Sequence, residues 1–275
     1  VPTLRGLVAA GHDVALVVSR ADKRRGRGGT PTPSPVKAAA LELGLPVGES
    51  PDDVVGAGVE LGVVVAYGRI IRPPLLGSIP LVNVHFSLLP RWRGAAPVER
   101  AILAGDEVTG VCVMGLEAGL DTGPVYRRAE TPIGADETVG QLRDRLADLG
   151  RDLLVAALAD GLGDPDPQSG DPTYAEKITP AELRIDWATP AAEILRVVRL
   201  ERAWTTWKGK RLLVLAAAPA PEPGGGAPGH LDGEVVTTGH GAVRLLVVQP
   251  EGRAPLDAAA WARGARGGPD ARLGP

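Results

Sequence analysis

Asn83, His85 and Asp121 are the three residue types needed to move an acyl group onto an amine. A side-chain amide can donate a hydrogen bond to a developing oxyanion. An imidazole can carry a proton or, when charged, stabilise negative charge. A carboxylate beside an imidazole favours its charged form and can fix a water. Asn83 and His85 stand two apart in the run Leu81-Val-Asn-Val-His85, so on a strand their side chains share one face. Open α/β sheets bind ligands at the carboxyl ends of their strands, where this pair would lie. Asp121 sits in Gly119-Leu-Asp-Thr-Gly123, where flanking glycines let the backbone bend sharply. Singly, these residues could be a helix cap, a half-buried histidine and a turn aspartate. Their combination with Ser87-Leu-Leu-Pro-Arg-Trp-Arg-Gly94 is what singles them out.

The surrounding elements read as an α/β layer. Residues 3–10 suit a short helix, and 13–19 a buried strand. Pro35 opens a helix that runs to about Gly44. Residues 61–67 form an apolar run suited to a parallel strand, with helical 70–76 behind it. Residues 81–85 read as another strand and 96–104 as a helix. Strand–helix alternation of this kind argues for an open, mostly parallel α/β sheet. Residues 109–116 and 124–131 read as an antiparallel pair. A long helix is expected over 136–160, with Leu142, Leu146, Leu149, Leu153 and Leu154 as its apolar stripe.

The turn-rich stretch 161–171 marks a boundary. The expected division is a first domain over 1–161, a linker over 162–189 and a second domain over 190–275. Short strands at 212–216, 233–236 and 243–248, separated by Gly/Pro-rich loops, suggest a small β-barrel in the second.

The 275 residues are enough for two cores. A net charge of −3 excludes a uniformly basic nucleic-acid binder, so any polyanion must meet a local patch. The single cysteine, Cys112, excludes an internal disulfide and lies in an apolar run, which fits a buried strand residue in a reducing cytoplasm. No apolar run reaches transmembrane length, so no membrane partner is expected. His12, His230 and His240 are scattered without metal-ligand spacing, so no metal is expected either.

Asn83-x-His85 with Ser87-Leu-Leu-Pro90 and a later Leu120-Asp-Thr-Gly123 resembles the formyltetrahydrofolate-dependent transformylases. Further segments look like the methionyl-tRNA formyltransferase family: Pro33-Ser-Pro-Val-Lys37, Val65-Ala-Tyr-Gly68, Pro90 to Pro97, Tyr174-Ala-Glu-Lys-Ile178 and Arg184-Ile-Asp-Trp187. The resemblance implies a Rossmann-like formyltransferase domain followed by an OB-fold-like barrel. It implies 10-formyltetrahydrofolate as donor and the methionine α-amine of initiator tRNA as acceptor, in a cytoplasmic monomer. By matching positions, Asn83, His85 and Asp121 would be catalytic. Ser87, Leu88, Leu89 and Pro90 would line the folate site, with Ala66, Tyr67 and Gly68 nearby. Members of that family begin with a strand and a Gly-Thr-Pro turn ahead of the helix that opens this chain, and the expectation is that such a segment completes the sheet.

Arg20 to Gly29 is a dense basic loop. A charge run of this kind is ordinarily a solvated linker. The resemblance instead implies that Lys23, Arg24, Arg25 and Arg27 meet the tRNA. A second basic–aromatic cluster comprises Arg199, Arg202, Trp204, Trp207, Lys208, Lys210 and Arg211, of which Lys208 and Lys210 are the expected tRNA contacts. The rival readings are a sugar-amine formyltransferase, a formyltetrahydrofolate hydrolase, and a non-catalytic tRNA-binding remnant. The first two need no basic loop, and the intact trio argues against the third.

Overall fold

The computed structural model describes residues 1–24, 31–68, 71, 73–221, 225–265, 268 and 271–274, with Lys23, Pro73 and Pro74 described by their backbone alone. The chain forms two compact units. One comprises Val1–Pro97, Val108–Pro132 and Arg143–Ala175; the other comprises Val98–Glu107, Ile133–Leu142 and Glu176–Pro275.

In the first unit, Pro2 starts the helix Pro2–Ala9, where a missing N–H costs nothing. The helix Pro35–Glu42 is capped by Ser34, whose Oγ accepts from the Lys37 amide at 3.1 Å. Beside it Val17–Val18 pairs in parallel with Val47–Gly48 over a small core of Leu4, Val17, Ala39 and Ala40. The four-stranded sheet runs Gly62–Val64, Leu81–His85, Val108–Gly115, Val125–Pro132. Its first two strands are parallel, and the last two are added antiparallel. All five residues of Leu81–His85 are buried. The helix Val139–Ala159 buries Leu142, Leu146 and Leu154 of the expected stripe, while Leu149 and Leu153 stay partly exposed. Gly150 lets this helix approach the central strand: a Cβ there would lie 2.6 Å from Val84 Cγ1.

Two expected strands are shorter than their apolar runs. Of 13–19 only Val17–Val18 is paired, because its partner Val47–Gly48 offers two residues. Of 61–67 only Gly62–Val64 is strand, because the chain turns away through Ala66 (φ +48°) and Gly68 (φ +68°). The helix expected over 70–76 is Pro73–Leu76, with residues 70 and 72 outside those described.

The second unit is built on a six-stranded antiparallel sheet ordered Ala203–Trp207, Lys210–Ala220, Ala242–Pro250, Val235–Thr237, Leu231–Asp232, with Leu256–Asp257 also on Ala242–Pro250. The first hairpin closes through Lys208 (φ +49°) and Gly209 (φ +75°), a two-residue turn whose left-handed pair matches strand twist. The helices Ala191–Val198 and Ala258–Ala265 supply Ile194, Val198 and Trp261 to a core with Leu212, Val243, Leu245 and Val248. Trp187 is buried and donates its Nε1–H to Thr205 Oγ1 at 3.0 Å. Among the described residues, no helix is long and apolar enough to cross a membrane.

Candidate active site

Strand Leu81–His85 is flanked on both sides, so Asn83 and His85 are fixed by register: Asn83 lies between Val64 and Met114, and His85 opposite Cys112. Both are buried, His85 to 5% exposure. His85 Nε2 lies 2.9 Å from the Trp92 carbonyl. A carbonyl only accepts, so this nitrogen carries the hydrogen. The turn after the strand supplies that carbonyl. Ser87 Oγ donates to Arg91 O at 2.7 Å, and Trp92 takes φ +62°, a conformation rare for a bulky residue. The Trp92 amide donates to Thr173 Oγ1 at 2.8 Å, which fixes the turn from outside.

Asp121 meets the other side of the ring. Its Oδ2 is 3.7 Å from His85 Nδ1 and accepts from the Gly94 amide at 2.7 Å. Nε2–H is thus directed at a carbonyl while Nδ1 faces a carboxylate. The loop holding Asp121 (φ +50°) is pinned by Gln168. Gln168 Nε2 donates to Asp121 O at 2.8 Å and Gly123 O at 2.7 Å. Its Oε1 accepts from Arg93 Nε at 2.9 Å and Nη2 at 2.6 Å. Gly123 admits no side chain, since a Cβ would stand 1.9 Å from Gly115 O. An amide, a ring able to hold positive charge and an anchored carboxylate therefore share one buried strand end. Such a set can stabilise an oxyanion and relay a proton.

The profile described as Formyl transferase matches residues 4–158, and that described as Formyl transferase, C-terminal domain, matches 177–266. The methionyl-tRNA formyltransferase of Ruegeria pomeroyi is 45% identical over 283 residues, covering 96% of this chain and 93% of that one. That of Clavibacter sepedonicus is 47% identical over 285 residues, with the same coverage. This chain belongs to the methionyl-tRNA formyltransferase family. Its fold is shared by WlaRD, a sugar 3N-formyl transferase crystallised with dTDP and 5-N-formyl-THF: the TM-score is 0.67 at 15% identity, covering 92% of this chain and 94% of that one.

The remaining sequence-selected residues fall into two groups. Ser87 and Leu89 are buried, Leu89 packing with Cys112, Met114 and Val125, while Leu88 and Pro90 are half-buried. Ala66 and Gly68 are exposed at the end of Gly62–Val64. Between them the Tyr67 hydroxyl is buried with no hydrogen-bond partner among the described residues. Burial raises the Cys112 thiol pKa and leaves it a core residue. Arg24 is exposed on Lys23–Arg24, which pairs with Pro31–Thr32; Arg25 and Arg27 lie outside the described residues. In the second unit Lys210 is exposed, and Lys208 Nζ sits 5.1 Å from the Trp207 ring centroid and donates to Ala265 O. Trp204 carries Arg211 at 4.7 Å and Arg184 at 5.6 Å. Arg199 turns instead to the Glu137 and Gly134 carbonyls, and burial lowers its pKa.

Sequence reasoning missed Gln168, Thr173 and the Gly94 amide as parts of the site, along with Arg184 at the tryptophan. Gln168 and Thr173 lie in a Pro/Asp-rich stretch with no catalytic signature. Nothing in one sequence marks a partner 47 to 81 residues away.

Proposed function

We propose that the protein transfers the formyl group of 10-formyltetrahydrofolate to the α-amine of methionine on initiator methionyl-tRNA, in the cytoplasm, for translation initiation. The observation that carries this reading is the pair of buried His85 and partly buried Asp121 at the end of a central strand, in a chain of the methionyl-tRNA formyltransferase family. The first unit supplies the chemistry. Residues 190–275 form a tRNA-binding domain reached through 162–189.

The amine attacks as free base, which α-amino groups become at about pH 8. A nitrogen–carbon bond forms to the formyl carbon, the folate carbon–nitrogen bond breaks, and one proton passes from the amine to the leaving nitrogen. Asn83 donates to the formyl oxygen as negative charge develops there. His85 supplies positive charge beside it. Asp121 keeps His85 charged and relays the proton. The 3.7 Å separation is longer than a hydrogen bond and closes in the reacting complex, where catalytic contacts tighten. Ala66 to Gly68 and Ser87 to Pro90 hold the folate, a role supported by the unpartnered Tyr67 hydroxyl between two exposed turn residues. Lys23, Arg24, Arg25 and Arg27, with Lys208 and Lys210, hold the tRNA backbone.

Formyl transfer from 10-formyltetrahydrofolate to charged initiator tRNA tests the reading. Turnover is expected with methionyl-tRNA. Transfer to an amino sugar or to water in its place would overturn it. Replacing Lys208 and Lys210 with Ala should weaken tRNA binding and flatten its salt dependence while leaving donor KM alone.

A further inference from the structure

We propose that Leu120 and Tyr174 form an apolar lip beside the carboxylate that receives the aminoacyl end of the acceptor: Leu120 takes the methionyl side chain, and Tyr174 the base of the terminal nucleotide. The proposal rests on the formyl-transfer reading above and concerns how the acceptor is chosen. Leu120 is 63% exposed and Tyr174 57%, large apolar surfaces left to water within the site's own framework. Water-exposed apolar side chains beside a buried polar cluster are what a ligand of mixed character fits.

Both residues are rigidly tied to Asp121. Leu120 precedes it in the loop that Gln168 pins at Asp121 O and Gly123 O. Tyr174–Ala175 pairs in parallel with Arg93–Gly94, and the Gly94 amide is the donor to Asp121 Oδ2. Alternation along that short strand buries Ala175 and turns Tyr174 outward. Gly94 is held close to this strand, since a Cβ there would stand 2.9 Å from Ala175 O. Tyr174 therefore lies about one strand spacing, ~4.8 Å, beyond the backbone that grips the carboxylate.

The order of groups along an aminoacyl ester matches the order of these residues. The side chain hangs from the carbon that bears the attacking amine, so it reaches the immediate neighbour of Asp121. The ester, ribose and base extend away on the other side of that carbon, toward a more distant contact. An aliphatic side chain suits a thioether, and an exposed phenol ring suits a base face.

The test measures formylation kinetics with initiator tRNA charged with methionine or with alanine, for wild type, Leu120→Asn, Tyr174→Ala, Tyr174→Phe and Tyr174→Leu. Leu120→Asn should raise KM for methionyl-tRNA about tenfold and erase most of the preference over alanyl-tRNA. Tyr174→Ala should raise KM about tenfold for both acceptors alike, with rescue by Phe and none by Leu. Donor KM should stay unchanged throughout, which a loosened loop would not allow. Unchanged acceptor KM and preference in folded variants, or a donor KM that moves in step, would overturn the proposal while leaving formyl transfer standing. Failure of the wild type to formylate methionyl-tRNA would overturn both.

Discussion

The two units spend irregular backbone in different ways. In the first, the non-glycine residues with left-handed φ among the described residues are Ala66, Trp92 and Asp121, and all three fall in segments selected for chemistry. Trp92 gives His85 its carbonyl, and Asp121 gives it a carboxylate. In the second unit the equivalents are Glu201, past the end of a helix, and Lys208, in a hairpin turn. At Glu201 the conformation follows a helix end, and at Lys208 it closes the hairpin that carries the selected pair Lys208 and Lys210. Left-handed backbone at a bulky residue costs about 1–3 kcal/mol and persists where its surroundings enforce it. The first unit accepts that cost at its buried site, the second past a helix end and at a hairpin turn.

The sharpest way to break this comparison is to remove a reacting group on one side and a packing group on the other. Asp121→Asn keeps an acceptor oxygen for the Gly94 amide but loses the charge facing His85. It should lower kcat by about 10²–10⁴ with little change in Tm. His85→Gln and Asn83→Ala should fall in the same range. Leu245→Ala in the second core should do the reverse, costing ~2–5 kcal/mol of stability with kcat of the folded fraction retained. Steady-state kinetics and thermal melts on the same preparations separate the two. If Asp121→Asn melted as early as Leu245→Ala, the carboxylate would be a loop fastener and its catalytic role would fail.

A smaller effect is expected between these extremes. Gln168→Leu removes four hydrogen bonds at once and strands the Asp121 and Gly123 carbonyls. It should cost about 1–3 kcal/mol in stability and lower kcat by about tenfold through misplacement of Asp121. A melt that shifts without any change in kcat would mean that the loop holds its carboxylate unaided.

How far each feature could be read from sequence follows from the distance over which it is determined. Strand Leu81–His85 and its facing pair Asn83 and His85 were legible because alternation is local. The antiparallel strands Val108–Gly115 and Val125–Pro132 were legible because a glycine-rich turn joins an apolar run to a second short strand-like stretch. The long helix was legible through its leucine stripe, although it starts at Val139 and not at the expected 136. Residues 13–19 were over-read, since strand length is set by the partner and Val47–Gly48 is short. The scaffold of the site was not legible. Gln168 reaches Arg93 across 75 residues, and Thr173 reaches Trp92 across 81. Both sit in what reads as a hydrophilic connection, and only the folded chain reveals what they hold.

The weakest expected effect concerns a charge in the second unit. Glu182 accepts from Arg100 Nη1 at 2.5 Å and from the Thr179 amide at 2.9 Å. The Arg100 guanidinium first, and then the Thr179 amide, hold its carboxyl down to about 2 from an ordinary 4.5. A depressed folded value means the ion stabilises the fold fully above the unfolded pKa and loses that contribution as pH falls through the folded one. The window is therefore about pH 4.5 to 2. Because the carboxylate is 36% exposed, solvent screens the pair and its worth stays below ~1 kcal/mol. Glu182→Gln should lower Tm slightly at pH 7, with the gap to wild type closing as pH drops toward 2. A gap independent of pH would mean that the side chain contributes by capping Thr179 and not by its charge, and would leave the second unit with regular packing as its main source of stability.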